Sequence, residues 1–351
     1  MNCRTQSFQT RRNRLREIVA RGWILLYKGG EYFNENLFYL TGLDNFFTLS
    51  LISLETEHEY VLTNSVELCH AQVVTDIRDV QACLPNELID KLTSLIASHS
   101  ISLLYCDYGL NSRTPLPAEI IDRVRSAFPK IIIESLPQEL LHMRMIKDPG
   151  EIELIKDGIA IVEKIFSNLA EVITPGLAEA ELASLIYKDL VQNGFNRFYD
   201  IFVASGPNSA KPFYRANNCL LPPNHVVLVD ICAARGNYVC DLTRTFPTSG
   251  VFPSHWSELY SLVCEVQQQA KKLVRSGRTL HELSEKVKSL FEVTGLDKFY
   301  LNKLGHFVGL APDDPGDQNS PLQKGMVVTI EPGLYLSEVG LRIEDTVVVE
   351  N

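Results

Sequence analysis

The sequence predicts two domains, an α/β domain followed by an α+β domain that contains an internal duplication. In the first part of the chain, short apolar runs alternate with helical patterns, as in a layered α/β domain. In the second part, two helical patterns are followed by a β-rich hairpin, and this order occurs twice. A chain of 351 residues is also longer than one compact core usually supports. We therefore predict domains at residues 1–145 and 146–351.

The first domain opens with an arginine-rich segment at residues 1–22. We interpret this segment as an exposed helix with the apolar stripe Leu15, Ile18 and Val19, because the pattern runs directly into a strand. The alternative is an organelle transit peptide, which is also arginine-rich. Further helices are predicted near residues 87–97 and 118–127. Apolar runs predict strands at residues 23–27, 47–54, 60–62, 102–105 and 131–133.

The second domain begins where Pro149-Gly150 follows a helical segment. Apolar residues then recur every three or four positions from Ile152 to Leu169, which is the pattern of one helix face. Each helix pair is followed by a β-rich hairpin. The predicted helix pairs lie at residues 151–172 with 177–193 and at 254–276 with 279–293, and the hairpins lie at 226–246 and 327–348.

Composition excludes several classes of protein. Hydrophobic residues make up 45 % of the chain and charged residues 22 %, which excludes a disordered or fibrous chain. The formal net charge of −10 argues against a surface that binds nucleic acid, because such a surface is basic. No apolar run approaches the roughly 18 residues of a membrane span. The eight cysteines form no C-x-x-C pair, which is typical of reduced thiols and predicts a cytoplasmic protein.

The first hairpin places two aspartates on one face. With Arg235-Gly236 as the loop residues, Asp230 is predicted to lie directly opposite Asp241. Their Cβ atoms would then be about 5 Å apart. Like charges at this separation are destabilising unless a cation lies between them.

The second hairpin repeats this arrangement with two glutamates. A turn at Ser337-Glu338 places Glu331 opposite Glu344, with the register open to a one-residue bulge at Pro332. The alternative is that all four carboxylates point into water. Strongly apolar neighbours in the strands argue against it, because an unpaired charge among them is costly. Two such pairs in the two halves of a duplication therefore indicate a shared cation site.

One of the eight histidines stands out beside these carboxylates. His306 lies between Gly305 and Gly309, which allow another part of the backbone to approach closely. A single histidine is more often a hydrogen-bonded polar residue than a metal ligand. Together with four carboxylates, however, an imidazole suits two divalent ions such as Mn²⁺, Co²⁺, Fe²⁺ or Zn²⁺. Calcium favours more carbonyl oxygens and no imidazole.

At these residues the sequence resembles the aminopeptidase P and prolidase family of metallopeptidases. The order Asp, Asp, His, Glu, Glu matches the metal ligands of that family, and the likeness covers nearly the whole chain. Other matching segments are NLFYLTG at 36–42, MRMIKDPGEIE at 143–153, ASGPN at 204–208, DLTRTF at 241–246, GHFVGL at 305–310, IEPG at 330–333 and LRIED at 341–345. The resemblance implies a creatinase-like α/β first domain and a pita-bread catalytic domain.

The resemblance also implies a role for each ligand residue. Asp230 would chelate one ion, His306 and Glu331 would hold the other, and Asp241 and Glu344 would bridge the two. A hydroxide shared by the ions would be the nucleophile. Glu331 would also be catalytic, because it would pass a proton to the leaving proline nitrogen.

The expected substrate pocket departs from the family at two residues. Arg342 matches an arginine that orients the site through charge-assisted hydrogen bonds. Two family histidines that hold the substrate and stabilise the tetrahedral intermediate are replaced by Phe213 and Asp313. Phenylalanine donates no hydrogen bond, and an aspartate repels an oxyanion. Cys232 stands where the family usually has glycine; packing is the simplest role for it, with a metal contact or a site of oxidation as the alternatives.

The sequence therefore predicts an Xaa-Pro aminopeptidase or proline dipeptidase, weakened by the two replacements. It would use two divalent ions, with manganese first and cobalt, zinc or iron as alternatives, and would act as a cytoplasmic homodimer on peptides with proline second. The main alternative is a metal-binding pseudoenzyme with a binding or regulatory role. A relative that hydrolyses a non-peptide C–N bond is disfavoured, because such relatives lack the full carboxylate series.

Overall fold

The computed structural model describes residues 7–107 and 115–351. Cys3 and Arg4 of the arginine-rich segment lie outside these residues. The described chain forms two compact units, of which the first ends at Met143 and the second begins at Arg144. No helix in the described residues has the length and apolar character that a membrane span needs. The described cysteines are all free thiols.

The first unit is built on a mixed six-stranded sheet. Its strands are β1 (Trp23–Gly29), β2 (Phe47–Ser53), β3 (Glu59–Thr63), β4 (Asp79–Ala82), β5 (Leu103–Cys106) and β6 (Ile132–Ser135), in the spatial order β4-β3-β2-β1-β5-β6. Its helices are α1 (Phe8–Val19), α2 (Glu35–Thr41), α3 (Leu68–Val74), α4 (Leu88–Ser98) and α5 (Ala118–Ala127). Every strand and helix predicted here is present. Helices α2 and α3 and strand β4, which are all short, were not predicted.

Helix α1 confirms the predicted first helix, but it buries a different face. Leu15 is fully buried, whereas Ile18 is 48 % exposed. The buried face instead carries two arginines. The guanidinium of Arg11 lies 4.3 Å from the centre of the Tyr39 ring, and Arg12 forms ion pairs in the same unit. Long cationic side chains can cover apolar surface when their charged ends find partners.

The second unit repeats the order of two helices followed by strands. Its helices are α7 (Pro149–Val172), α8 (Glu179–Gln192), α9 (Ser254–Leu273) and α10 (Leu280–Glu292), preceded by α6 (Gln138–Met145) at the junction of the units. Its strands are β7 (Phe195–Ser205), β8 (Val226–Arg235), β9 (Tyr238–Pro247), β10 (Val327–Ile330), β11 (Gly333–Tyr335), β12 (Gly340–Arg342) and β13 (Asp345–Val348). Asp148 caps the start of α7, with Pro149 in its first turn, which is why the helix begins there.

The predicted register of the first hairpin is wrong. In the antiparallel pair β8–β9, Asp230 lies opposite Thr243, and Asp241 lies opposite Cys232. The loop residues are Gly236 and Asn237, and both have positive φ angles, of 57° and 70°. A two-residue hairpin turn of this kind needs φ above zero at both positions, which glycine and asparagine adopt readily and arginine does not. The two aspartates therefore share one face as diagonal neighbours.

The predicted register of the second hairpin is confirmed. Gly333 pairs with Arg342 in β11–β12, and Ile330 pairs with Asp345 in β10–β13. The two strand pairs have the same pairing register, although the strand is interrupted at Glu331-Pro332. Glu331 therefore lies opposite Glu344. The backbone hydrogen bond from Leu336 N to Val339 O, 2.8 Å long, closes the turn at the predicted residues.

Candidate metal centre

The two hairpins meet at the candidate ligands. Asp230 and Asp241 lie on one face of the β7-β8-β9 sheet, with Thr243 opposite Asp230. Thr243 also forms an isolated antiparallel bridge with Glu344. Its hydroxyl donates to Oε2 of Glu344 over 2.7 Å. This bridge brings the carboxylates of the two halves of the duplication together.

His306 reaches the same place from the segment before β10. A Cβ at Gly305 would lie 1.9 Å from the carbonyl oxygen of Thr329, so only glycine fits there. This close approach fixes the backbone of the next residue, and His306 N donates to Oγ1 of Thr329 over 3.0 Å. Nε2 of His306 then lies 3.6 Å from Oδ2 of Asp241 and 3.7 Å from Oε1 of Glu331.

Hydrogen bonds from two neighbouring side chains, Arg342 and Asn302, orient the candidate ligands Asp230 and Glu331. Arg342 is buried, and its guanidinium donates to Oδ2 of Asp230 over 2.5 Å, to the Tyr335 hydroxyl over 2.5 Å and to Oγ1 of Thr243 over 3.1 Å. The side chain of Asn302 donates to the backbone oxygen of Glu331 over 2.9 Å. Such outer contacts orient metal ligands and restrict their rotamers.

Three of the four carboxylate residues are buried and Glu331 is only partly exposed, contrary to the alternative in which all four point into water. The residue exposures of Asp230, Asp241 and Glu344 are 8 %, 6 % and 2 %. Burial, with the nearby charge of Glu331, raises the pKa of Glu344 to about 7. Burial also raises the pKa of Asp230, although Arg342 acts in the opposite direction. The metal-free cluster is therefore a concentration of poorly solvated negative charge.

The residues present fit a divalent cation. Ligand atoms of Asp241, His306 and Glu344 all lie within 4.8 Å of one another. Two ligands at the usual metal distance of about 2.0–2.2 Å are separated by at most about 4.4 Å, so only small movements are needed. In addition, Oδ1 of Asp230 is buried and accepts no hydrogen bond from any described residue. Carboxylates with one imidazole are ligands of first-row divalent ions.

Asp313 and Phe213, the two residues expected to replace family histidines, are related to this centre in different ways. Asp313 is close to it, with Oδ1 4.0 Å from Nδ1 of His306. Phe213 is 89 % exposed, and its ring packs edge-to-face with that of Phe202, with 6.4 Å between the ring centres. Phe202 in turn pairs with Asp230 across β7–β8. Arg342, the third predicted pocket residue, lies behind Asp230 and supports it.

Sequence reasoning missed three supporting residues. Thr243 was detectable, because strand alternation places it on the face of Asp241. Glu179 is fully buried and accepts hydrogen bonds from Ser205 and from Tyr214 in the segment that carries Phe213. Asp314 is buried between the cations Arg144 and Lys147. No pattern in the sequence distinguishes the last two from surface acids.

The raised pKa values predict an unusual pH dependence for metal-free protein. A carboxyl whose folded pKa exceeds its unfolded pKa stabilises the fold at low pH, and this contribution is lost as the pH rises through the folded value. For Glu344 that window runs from its ordinary 4.5 up to about 7. With chelator present, the free energy of unfolding in urea should therefore decrease between pH 5.5 and 8, by up to about 1.4 kcal/mol per pH unit for each proton lost.

Added Mn²⁺ should reverse this trend, because the metal binds the deprotonated ligands. The gain in stability on adding the metal is expected to be larger at pH 8 than at pH 6. Equal stability of the chelated protein at both values would contradict the electrostatic description of the cluster.

The chain is similar in sequence to known metallopeptidases. The model of metallopeptidase family M24 matches residues 153–351. The chain is 33 % identical to an Xaa-Pro dipeptidase of Pyrococcus furiosus over 213 residues, which cover 59 % of this chain and 61 % of that relative. It is 27 % identical to an Xaa-Pro aminopeptidase of Escherichia coli K12 over an alignment 372 positions long, which covers 96 % of this chain and 76 % of the relative.

Solved structures give the same result for the fold. An X-Pro aminopeptidase from Thermotoga maritima superimposes with a TM-score of 0.88 at 28 % identity, covering 96 % of this chain and 95 % of the other. A prolidase from Pyrococcus furiosus gives a TM-score of 0.82, with 97 % and 96 % covered. These likenesses confirm the predicted fold class, an α/β first domain followed by a pita-bread domain.

Proposed function

Because the chain belongs to metallopeptidase family M24, we propose that it is a dinuclear aminopeptidase that cleaves between an N-terminal residue and a following proline. The observation that supports this most is the convergence of Asp241, His306 and Glu344, with Glu331 and Asp230 beside them. The relatives named for Xaa-Pro peptides point to the same substrate class. A cytoplasmic location, a homodimer and manganese as the metal stay predictions from the sequence.

Each of the five residues would have a defined role in the proposed mechanism. Asp230 would chelate one divalent ion, His306 and Glu331 would hold the second, and Asp241 and Glu344 would bridge them. When bound, the ions would lower the pKa of a water molecule and polarise the scissile carbonyl. The residues themselves supply fixed negative charge, which Thr243 and Arg342 orient from behind.

Glu331 suits proton transfer to the proline nitrogen. Burial raises the pKa of its carboxyl, although Arg342 and His306 act in the opposite direction. This shift belongs to the metal-free chain; with a divalent ion bound the carboxyl would be ionised and could accept a proton to pass on. The side chain is 17 % exposed, so it adjoins the open side of the centre.

A metal assay combined with a peptide assay tests the proposal. The purified chain is loaded with Mn²⁺, its metal content is measured by elemental analysis, and Xaa-Pro-Xaa tripeptides are compared with Xaa-Pro dipeptides. Cleavage before proline that is lost on chelation supports the proposal. Two bound ions per chain without turnover would contradict it and would favour the binding or regulatory role, which the exposed Phe213 and Asp313 already make the second candidate.

Restoring two histidines is expected to raise activity. The double change Phe213→His and Asp313→His supplies two hydrogen-bond donors where the chain has none and removes a negative charge. One such donor to a developing oxyanion typically changes the rate by about 10²–10³-fold. We expect kcat on a tripeptide to rise by at least about 10²-fold. Phe46→His, at an exposed phenylalanine of the first unit, is the control, and an unchanged kcat at equal metal content would contradict the account.

A further inference from the structure

Asp313 places an uncompensated negative charge beside the candidate metal centre. Its side chain is 78 % exposed, although its carboxylate lies 4.0 Å from His306. Among the described residues, no lysine or arginine forms an ion pair with it. His306 is itself 26 % exposed, so the centre opens to solvent on this side. A substrate that approaches His306 therefore passes a free carboxylate.

The backbone that carries Asp313 is firmly held. Asp314, the next residue, is buried and accepts from Arg144 over 2.6 Å and from Lys147 over 3.0 Å. Its backbone N–H donates to the carbonyl of Phe307 over 2.9 Å. The Asp313 carboxylate thus projects from an ordered loop, and little conformational entropy is lost when it binds a partner.

The neighbouring strand carries a second acid near the centre, and this one is paired with an arginine. Asp200 on β7 pairs with Cys232, so it lies on the same sheet face as Asp230. Its side chain is 38 % exposed, with Arg215 3.6 Å away and 85 % exposed. Strand β7 and the loop are joined where the Tyr199 hydroxyl donates to the carbonyl of Leu310 over 3.4 Å. Two partly exposed acids therefore border the centre from different elements.

We propose that Asp313 is a specificity-determining residue that selects peptides with a positively charged side chain within one residue of the scissile bond. The inference rests on the proposed function and names its substrate class. An exposed carboxylate attracts a lysine or arginine side chain and repels a glutamate or a free carboxylate. An ion pair between side chains as exposed as Asp313 changes the affinity by up to about fivefold.

The test compares amidated tripeptides that differ only in charge. The Mn²⁺-loaded chain is assayed with Lys-Pro-Leu-amide, Leu-Pro-Lys-amide, Leu-Pro-Leu-amide and Glu-Pro-Leu-amide at low and high salt. We expect kcat/KM for one of the lysine peptides to exceed that of the leucine peptide about three- to fivefold. The glutamate peptide should fall below it by a similar factor. High salt should reduce both ratios.

Variants assign the preference to one carboxylate. Asp313→Asn keeps the shape and removes the charge, so the lysine and glutamate peptides should converge on the leucine peptide. Asp313→Lys should invert the order. Glu338→Gln removes an exposed carboxylate in the turn of the second hairpin and should keep the wild-type ratios.

The two proposals fail in different ways. If no peptide is cleaved, the peptidase function fails, and the Kd values of the same peptides, measured by calorimetry, replace kcat/KM in the charge comparison. If the leucine peptide is cleaved but charge has no effect, or if Asp313→Asn keeps the full preference, only the specificity inference is overturned.

Discussion

Replacing Glu344 with glutamine is expected to cost the metal and the activity while making the metal-free protein more stable. Glutamine keeps the shape and still accepts the hydrogen bond from Thr243, which is 2.7 Å long. It removes one charge from a buried cluster. The rise of the pKa of Glu344 from 4.5 to about 7 corresponds to about 3 kcal/mol of destabilisation once the carboxylate is ionised.

The loss of function should be large. Removal of an outer hydrogen-bond partner of a metal ligand already costs about 10- to 100-fold in affinity or activity, so loss of a ligand should exceed about 100-fold. Metal content is measured by elemental analysis, and stability by urea unfolding at pH 8 with chelator. Glu338→Gln is the control, because it removes an exposed charge from the same hairpin. Unchanged metal content in Glu344→Gln would refute the ligand assignment.

Asp314→Asn is expected to destabilise the second unit by about 3–5 kcal/mol, the usual cost of breaking a buried ion pair from one side. Asp314 is bonded to Arg144 and Lys147, whose side chains are 5 % and 1 % exposed. Although burial acts to raise it, these cations hold the pKa of Asp314 below its usual value. Asparagine removes the negative charge that these two buried cations share.

The neighbouring aspartate provides a matched control. Asp313→Asn makes the same chemical change one residue earlier, at an exposed side chain, and should alter the free energy of unfolding by less than about 0.5 kcal/mol. Urea unfolding of both variants in metal-loaded protein measures the difference. A similar loss in both, or no loss in Asp314→Asn, would be inconsistent with a stabilising buried cluster.

The two hairpins show how far local chemistry carries a prediction. In both hairpins, the strands that carry the candidate carboxylates were predictable, because these carboxylates have apolar neighbours along the chain. The turn at Ser337-Glu338 was predicted correctly, and the other loop was displaced by one residue, to Gly236-Asn237. The φ requirement of a two-residue turn decides between adjacent candidates, and a preference for asparagine beside glycine would have found the right loop.

Helix α1 shows a different limit. Its helical period was readable, and its N-terminal cap at Ser7 is a local feature. The buried face was not readable, because arginine is normally exposed. Arg12 is buried only because Glu59 and Asp76, distant in sequence, meet its guanidinium within 2.6 and 2.8 Å.

The amino-acid sequence by itself determined the two-part α/β and α+β organisation and the positions of four candidate carboxylate ligands, and its resemblance to the aminopeptidase P and prolidase family supplied the order of all five candidates. The organisation follows from hydrophobic periodicity, and the four carboxylates follow from charges placed within apolar strands, which are local properties. Only the tertiary structure decided which carboxylates are paired and which face the centre uncompensated. Asp314 meets Arg144 across 170 residues of sequence, whereas no lysine or arginine of the described residues pairs with Asp313 beside it. Such partners are chosen by packing in three dimensions, and no spacing along the chain records them.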